Sequence, residues 1–319
     1  MSHLIQPIQI VLVYENASVF DQHFGDLLTI EPRLKAALQA FGGWKSLPGY
    51  NTPNNLGLAT DTRHITIQRY DEQMELGGFA DVLSNPLVTQ LKPQMAQAIT
   101  SHQRAFLIEV GCGSVPGFAS AMMQSGVREA LGQIENLGMG LSDDQSGYEA
   151  RLLLAQRLAS AMINELTPSA VHWAQSQQVF DGPTFQNFAA EGFALPLYCG
   201  PFIYGGEQMS DGSVKAGVRA LGSQNILGKM VMFKPDLQDW TQSYLQIISF
   251  VAYCRMIGRV LANGETFSDD APDAPVIRVT HKSDIPQLPD GYIELSRDGR
   301  NLESMPRGIL RRLAGKFFR

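Results

Sequence analysis

Residues 106–117 read FLIEVGCGSVPG. An apolar run that ends in Glu109 and turns at Gly111-Cys112-Gly113 has the make-up of a strand opening a nucleotide-type cofactor cradle. There, glycines let a ligand approach the backbone. Cys112 offers a second chemistry, that of a thiolate nucleophile. It needs an imidazole base, His102 or His172, within hydrogen-bond reach. Asp269, Asp270 and Asp273 in FSDDAPDAP offer a third, oxygen ligation of a divalent cation.

Each chemistry makes further demands. A cradle for S-adenosylmethionine needs a helix that starts at the turn and a second strand, about 20 residues on, that ends in an acid. Here the third glycine is displaced to Gly117, behind Ser114, Val115 and Pro116. The following MMQSGVREALGQIENLGMGLSDDQSG offers helix and loop but no apolar strand ending in an acid. The stretch therefore reads as a buried strand leaving its sheet through a glycine turn, and no cofactor is expected. Cysteine is among the most commonly buried residue types, so Cys112 reads first as a core thiol. The three aspartates lack the spacing and the glycine of a calcium loop, and read as a solvated acidic loop. His172 precedes Trp173 in AVHWAQ. Strand neighbours point to opposite faces, so one of the two faces the core and the other a helix or solvent. A structural histidine is expected there, with a ligand-binding one as the alternative. No phosphate-binding loop, nucleophile elbow or zinc-protease helix is present in the sequence.

The end of the chain, PRGILRRLAGKFFR, is its strongest compositional anomaly. Arg307, Arg311, Arg312, Lys316 and Arg319 carry +5 with no acid among them, so the remainder carries −11 of the total −6. Ile309, Leu313 and Phe317 fall four apart and form one helical stripe. A basic amphipathic segment of this kind suits an acidic protein partner, weak contact with an anionic membrane surface, or return onto its own acidic body.

Composition narrows the classes. The 319 residues suggest about two domains. Hydrophobic content of 44% and charged content of 18% support packed cores. A net charge of −6 argues against nucleic-acid binding, which needs a basic surface to displace counterions. Three scattered cysteines with no Cys-x-x-Cys pair support neither a disulfide framework nor a structural zinc site. The start reads as a strand rather than a secretion signal. The greasiest stretch, LQIISFVAYCRMIGRVL, contains Gln246, Arg255 and Arg259, as a buried helix does and a membrane span does not. A cytoplasmic protein is expected.

The elements that position these residues can be read from periodicity. IQIVLVY at residues 8–14 reads as a central strand, followed by helix within 21–41 with a break at Pro32. RHITIQRYD alternates like a half-buried strand, GGFADVLS reads as a short strand, residues 86–99 as a helix, and QRAFLIEVG as a strand. This strand-helix-strand-strand-helix-strand order is that of a ferredoxin-like unit. A helix over 148–166 buries Tyr148, Leu152, Ala155, Ala159, Met162 and Leu166. AVHWAQ is strand-like and PTFQNFAAEG a short helix. LPLYCGPFIY, SVKAGVRAL and GKMVMFK read as strands. A long helix opens near Asp236, buries Leu237, Trp240, Tyr244, Ile247, Ile248 and Val251, and stops at Asn263-Gly264. PVIRVTH and GYIELS read as the last strands. The expectation is an α+β fold of mixed or antiparallel sheets covered by helices, with two ferredoxin-like halves packed together as the arrangement this order permits. The halves are 1–140 and 145–298, followed by the tail 299–319.

From His172 to Val279 the order AVHWAQSQQVFDGPTF, LPLYCGPFIY, AGVRALGS and RVLANGETF, with Gly264 and Thr266 at the last turn, resembles the bacterial family known as domain of unknown function 4261. HQRAFLIEVG is similar to a strand of that family upstream. The chain departs from it in SQNILGKMVMF, which lacks the acid the family often carries. The resemblance implies an α+β fold and no established catalytic residue. The expected function is a non-catalytic bacterial cytoplasmic module that binds another protein, in a toxin-immunity or secretion-accessory setting, through the tail residues Arg307, Ile309, Arg311, Arg312, Leu313, Lys316, Phe317 and Arg319. The alternative is an enzyme or small-ligand-binding protein with a site near His172, Cys112 and the Gly111–Gly113 turn.

Overall fold

A computed structural model describes residues 6–47, 49–114, 145–237, 239–268, 275–283, 285, 288 and 290–297. The segment after Ser114 with Gly117, the aspartates 269, 270 and 273, and the tail with all eight of its expected partner-binding residues lie outside the described residues. The fold is α+β, and the chain divides into two compact units, residues 1–84 with 88–194, and residues 85–87 with 195–319.

The first unit is built on seven strands: β1 (Ile8–Tyr14), β2 (Lys45–Ser46), β3 (Asn55–Ala59), β4 (Arg63–Tyr70), β5 (Arg104–Cys112), β6 (Ala170–Trp173) and β7 (Gln178–Phe180). They lie in the order β2-β3-β4-β5-β1-β6-β7. β1 is central because it is apolar on both sides, and all but one of its residues are buried. On one face it carries Tyr14, which joins Phe20, Phe24 and Phe106 in an aromatic cluster under the helices α1 (Ala17–His23) and α2 (Glu31–Ala37). On the other face Val11 and Val13 meet Phe79, Val82, Met95, Ala98 and Ile99. Each such side chain contributes about 1.5–3 kcal/mol on full burial.

Three expectations for this region are corrected. Every neighbouring pair in the sheet is antiparallel. A ferredoxin-like unit is likewise antiparallel between neighbours, but its fourth strand lies at the edge beside the first; here β5, the expected fourth strand, lies between β4 and β1, so the first half does not have that order. GGFADVLS is not a strand but a 3-10 turn (Leu76–Phe79) running into helix α3 (Ala80–Ser84). Phe79 and Val82, three apart, both reach the same core cluster, a helical spacing rather than an alternating one. The boundary expected near 140–145 also moves. β6 hydrogen-bonds along β1, and residues 145–194 complete the first unit.

Helices α4 (Pro86–Leu91) and α5 (Pro93–Ser101) replace the single helix expected there, broken between the two prolines. Helix α6 (Gln145–Glu165) buries Tyr148, Leu152, Ala155, Ala159 and Met162, the face its spacing predicts. Asp181 caps α7 (Gly182–Ala189), its side chain accepting from the Thr184 amide.

Among the described residues the second unit holds α8 (Leu195–Tyr198), a six-stranded sheet and two further helices, α9 (Ser223–Leu227) and α10 (Trp240–Ile257). The strands are β8 (Gly200–Gln208), β9 (Val214–Leu221), β10 (Met230–Asp236), β11 (Thr266–Phe267), β12 (Ile277–Lys282) and β13 (Tyr292–Arg297). Their order is β11-β12-β13-β10-β9-β8, mixed because β10 and β13 run parallel. LPLY is thus helical, and only the remainder of LPLYCGPFIY is strand. Helix α10 starts three residues later than expected and stops at Gly258, whose left-handed conformation (φ 69°) caps it. Asp239 is the N-cap; Asp236 stays in β10 and takes the Arg297 guanidinium. Leu237 therefore falls outside the helix at 53% exposure, and Trp240 is only half-buried. Tyr244, Ile247, Ile248 and Val251 are buried as expected.

Candidate functional site

The glycine turn has a structural occupant. Gly111, near the end of β5, pairs with His64 of β4, and a Cβ on Gly111 would lie 2.3 Å from the imidazole. The chain bends at Gly113 (φ 79°), whose carbonyl lies 2.9 Å from His64 Nδ1. A carbonyl only accepts, so Nδ1 carries the proton. Burial holds this ring below the ordinary histidine range, and its bond to Gly113 opposes that only in part. Glu109 is also engaged within the sheet, accepting from Gln9 Nε2 at 2.7 Å and from Thr66 Oγ1 at 3.4 Å. The two glycines make room for a histidine ring. Sequence reasoning missed His64, whose only signal is its place in the alternation of RHITIQ.

The residues considered for nucleophilic chemistry do not come together. His172 shares its row of the sheet with Val11 and Leu107, whereas Cys112 alternates with Ile108 and Val110 on the opposite face. His102 precedes β5 and Cys112 ends it, roughly 26 Å of strand away. His102 is occupied on both nitrogens: Nδ1 donates to the Ile99 carbonyl at 2.5 Å, and Nε2 accepts from the Met74 amide at 3.0 Å. All three cysteines are buried, and none forms a disulfide.

His172 is 3% exposed and packs against Phe79, ring centroids 5.3 Å apart. Neither ring nitrogen has a hydrogen-bond partner, and the Gln177 side-chain oxygen is also unpaired. Burial pulls the ring down to about 4, and the Gln177 side chain, near the ring but outside hydrogen-bond geometry, opposes this only in part. Trp173 points the other way and stacks on Phe185. Both residues are buried on opposite faces of the sheet, His172 against Phe79 and Trp173 against Phe185 of helix α7, as strand alternation requires. Among the described residues no group of three His, Cys, Asp or Glu side chains is placed to hold a metal ion. No helix of the described residues is long and apolar enough to cross a membrane.

The surface offers a different arrangement at the C-terminal end of α10. Up to Val251 this helix is buried almost all round, but its last turns emerge with Tyr253, Met256 and Ile257 on one side, spaced i, i+3, i+4. Met256 is 76% exposed, and Tyr253 and Ile257 36% each. The loop between α10 and β11 holds this end in place. The Gly258 and Arg259 amides return to the Arg255 and Cys254 carbonyls. The Arg259 guanidinium grips Glu265 through two hydrogen bonds, 2.8 and 3.1 Å, and the Ala262 amide donates to the same carboxylate. These donors hold the Glu265 carboxyl down to about 2. Tyr253 leans on Phe267 of β11, ring centroids 5.5 Å apart. The result is an apolar stripe on a braced helix end, with one neighbouring charge pair already neutralised.

No protein-family model, no curated protein and no solved structure matches the chain.

Proposed function

We propose that the protein is a non-catalytic cytoplasmic module that binds another protein through the end of α10. The observation that carries this reading is the exposure of Met256 at 76% between two further large apolar side chains on one helical side. Helix ends of globular domains ordinarily turn such residues inward, and contiguous apolar surface on a braced element is where partners dock. Covering three such side chains contributes about 1.5–3 kcal/mol each before ordering costs. The brace from Arg259 and Glu265 keeps those costs low because the helix end is formed in advance. Separation of Cys112 from His172 and His102 supports the non-catalytic part. The basic tail, with Arg311, Arg312, Leu313 and Phe317 at its centre, is a second contact in this reading.

A photo-reactive phenylalanine analogue at position 256, with a control at the exposed Gln94 of α5, tests the proposal in cells. A cross-linked adduct of one defined mass at 256 alone, lost with Ile257→Asp, is the expected outcome. No adduct, or equal adducts at both positions, overturns it.

A further inference from the structure

The second sheet has a face opposite α10 on which two half-buried charges, Arg219 and Glu294, lie in one row without ion-pair partners. One row of that face crosses five strands: Phe202 of β8, Arg219 of β9, Met232 of β10, Glu294 of β13 and Thr280 of β12. Directly paired residues point to the same side, so these five side chains share a surface. The Arg219 guanidinium carbon lies 4.1 Å from the Phe202 ring centroid, and its Nε is buried without a hydrogen-bond partner. Among the described residues neither the Arg219 nor the Glu294 side chain forms an ion pair or hydrogen bond. Arg219 leans onto Phe202, away from Glu294, and Met232, 6% exposed, forms the floor between them.

Tyr204 completes the surface beside Arg219. Its ring lies flat on Gly217, where a Cβ would come within 2.5 Å, and its hydroxyl donates to the Phe233 carbonyl at 2.9 Å. The phenol is pushed up first by burial and then by Glu294 and Tyr292, with Arg219 opposing, so both unpaired charges act on this one hydroxyl. Tyr204, Leu221, Ile285 and Leu288 pack against the cluster that Met230, Met232 and Tyr292 form on this face.

A guanidinium held over a ring keeps its N–H groups in a fixed fork, which suits a carboxylate. A half-buried glutamate with no cation suits an ammonium group. The two residues sit on strands with one strand between them, so their backbones are about 10 Å apart, and the lean of Arg219 onto Phe202 widens the gap between the charged groups to about three extended residues plus a hydrogen bond at each end. An extended chain of three residues spans at most about 10–11 Å. We propose that this face binds a short zwitterionic peptide of about three residues, its carboxylate on Arg219, its ammonium on Glu294, and its side chains over Phe202 and Met232. This site is independent of the α10 surface, because α10 packs on the other side of the sheet.

The test is an NMR titration that follows the Met232 methyl group with trialanine, N-acetyltrialanine and trialaninamide. Trialanine should give a saturable shift with a millimolar Kd, and each capped peptide should bind about tenfold more weakly. Arg219→Gln should make trialanine and trialaninamide equal, and Glu294→Gln should make trialanine and N-acetyltrialanine equal. Unchanged methyl signals of the buried Met95 and Met162 show that the first unit is unaltered in each variant, and an unchanged Met230 signal shows that the sheet itself is intact. No Met232 shift at roughly 50 mM trialanine, or equal binding of free and capped peptides, overturns the proposal.

Discussion

His172 should make the first unit sensitive to mild acid. Its imidazole is buried beside Phe79 with neither nitrogen bonded, and titrates at about 4 instead of the ordinary 6.5. The folded state therefore binds a proton at this ring less readily than the unfolded chain. Its contribution to stability is complete above pH 6.5, declines as pH falls, and is lost by pH 4. At 1.36 kcal/mol per pH unit, the full loss is about 3 kcal/mol, of which about 2 kcal/mol falls between pH 7 and pH 5. His64 and His102 are also lowered by burial, so the wild-type curve alone does not isolate one ring. His172→Phe does. Overpacking by the larger ring costs about 1–3 kcal/mol, the same at both pH values. Urea unfolding at pH 7 and pH 5, in a Trp240→Phe background, is read from Trp44 and Trp173, both buried in the first unit. The wild type should lose about 2 kcal/mol more than the His172→Phe variant on acidification. Parallel losses in the two proteins would refute the reasoning.

Gly111→Val should cost about 1–3 kcal/mol through collision with the His64 ring, and His64→Ala in the same chain should recover most of it. Urea midpoints that show no recovery would remove the steric explanation. Arg297→Ala should cost about 3 kcal/mol in thermal unfolding, because it strips donors from Asp236, Ser243 and Gln246 at once. The figure sits at the low end for a buried pair because Asp236 is 25% exposed, and a loss under about 0.5 kcal/mol would mean water replaces the guanidinium. Cys112, Cys199 and Cys254 are buried, and burial pushes the last two thiols up. All three should resist a thiol reagent until the chain is denatured, and rapid labelling of the native protein would contradict the packing.

What was legible in the sequence was local. β1 is evident from a nearly unbroken apolar run, and α6 from apolar residues at spacings of three and four. Asp236 and Asp239 have the same capping chemistry, and only the pairing of Asp236 with Ala216 and its bond to Arg297 shows which one ends the strand. The ferredoxin-like reading failed because element order does not state which strands pair, and β6 arrives from far downstream to flank β1. The sites were hidden for the same reason. His64 fills the space over Gly111 from 47 positions away, and Phe202 meets Arg219 only because β8 and β9 fold back on each other. The exposed end of α10 was legible in composition as grease, but its solvent exposure depends on where the sheet stops covering the helix.

The central place of β1 also has a consequence in time. Its partner β6 is synthesised roughly 160 residues later, an interval of roughly 8–30 s at ordinary elongation rates. Throughout that interval the β6-side edge of a largely apolar strand has no native partner in the nascent chain. The first unit should therefore become protease-resistant on the ribosome only after residue 180 has cleared the exit tunnel. Chains stalled before β6 should be the ones that holdase chaperones retain.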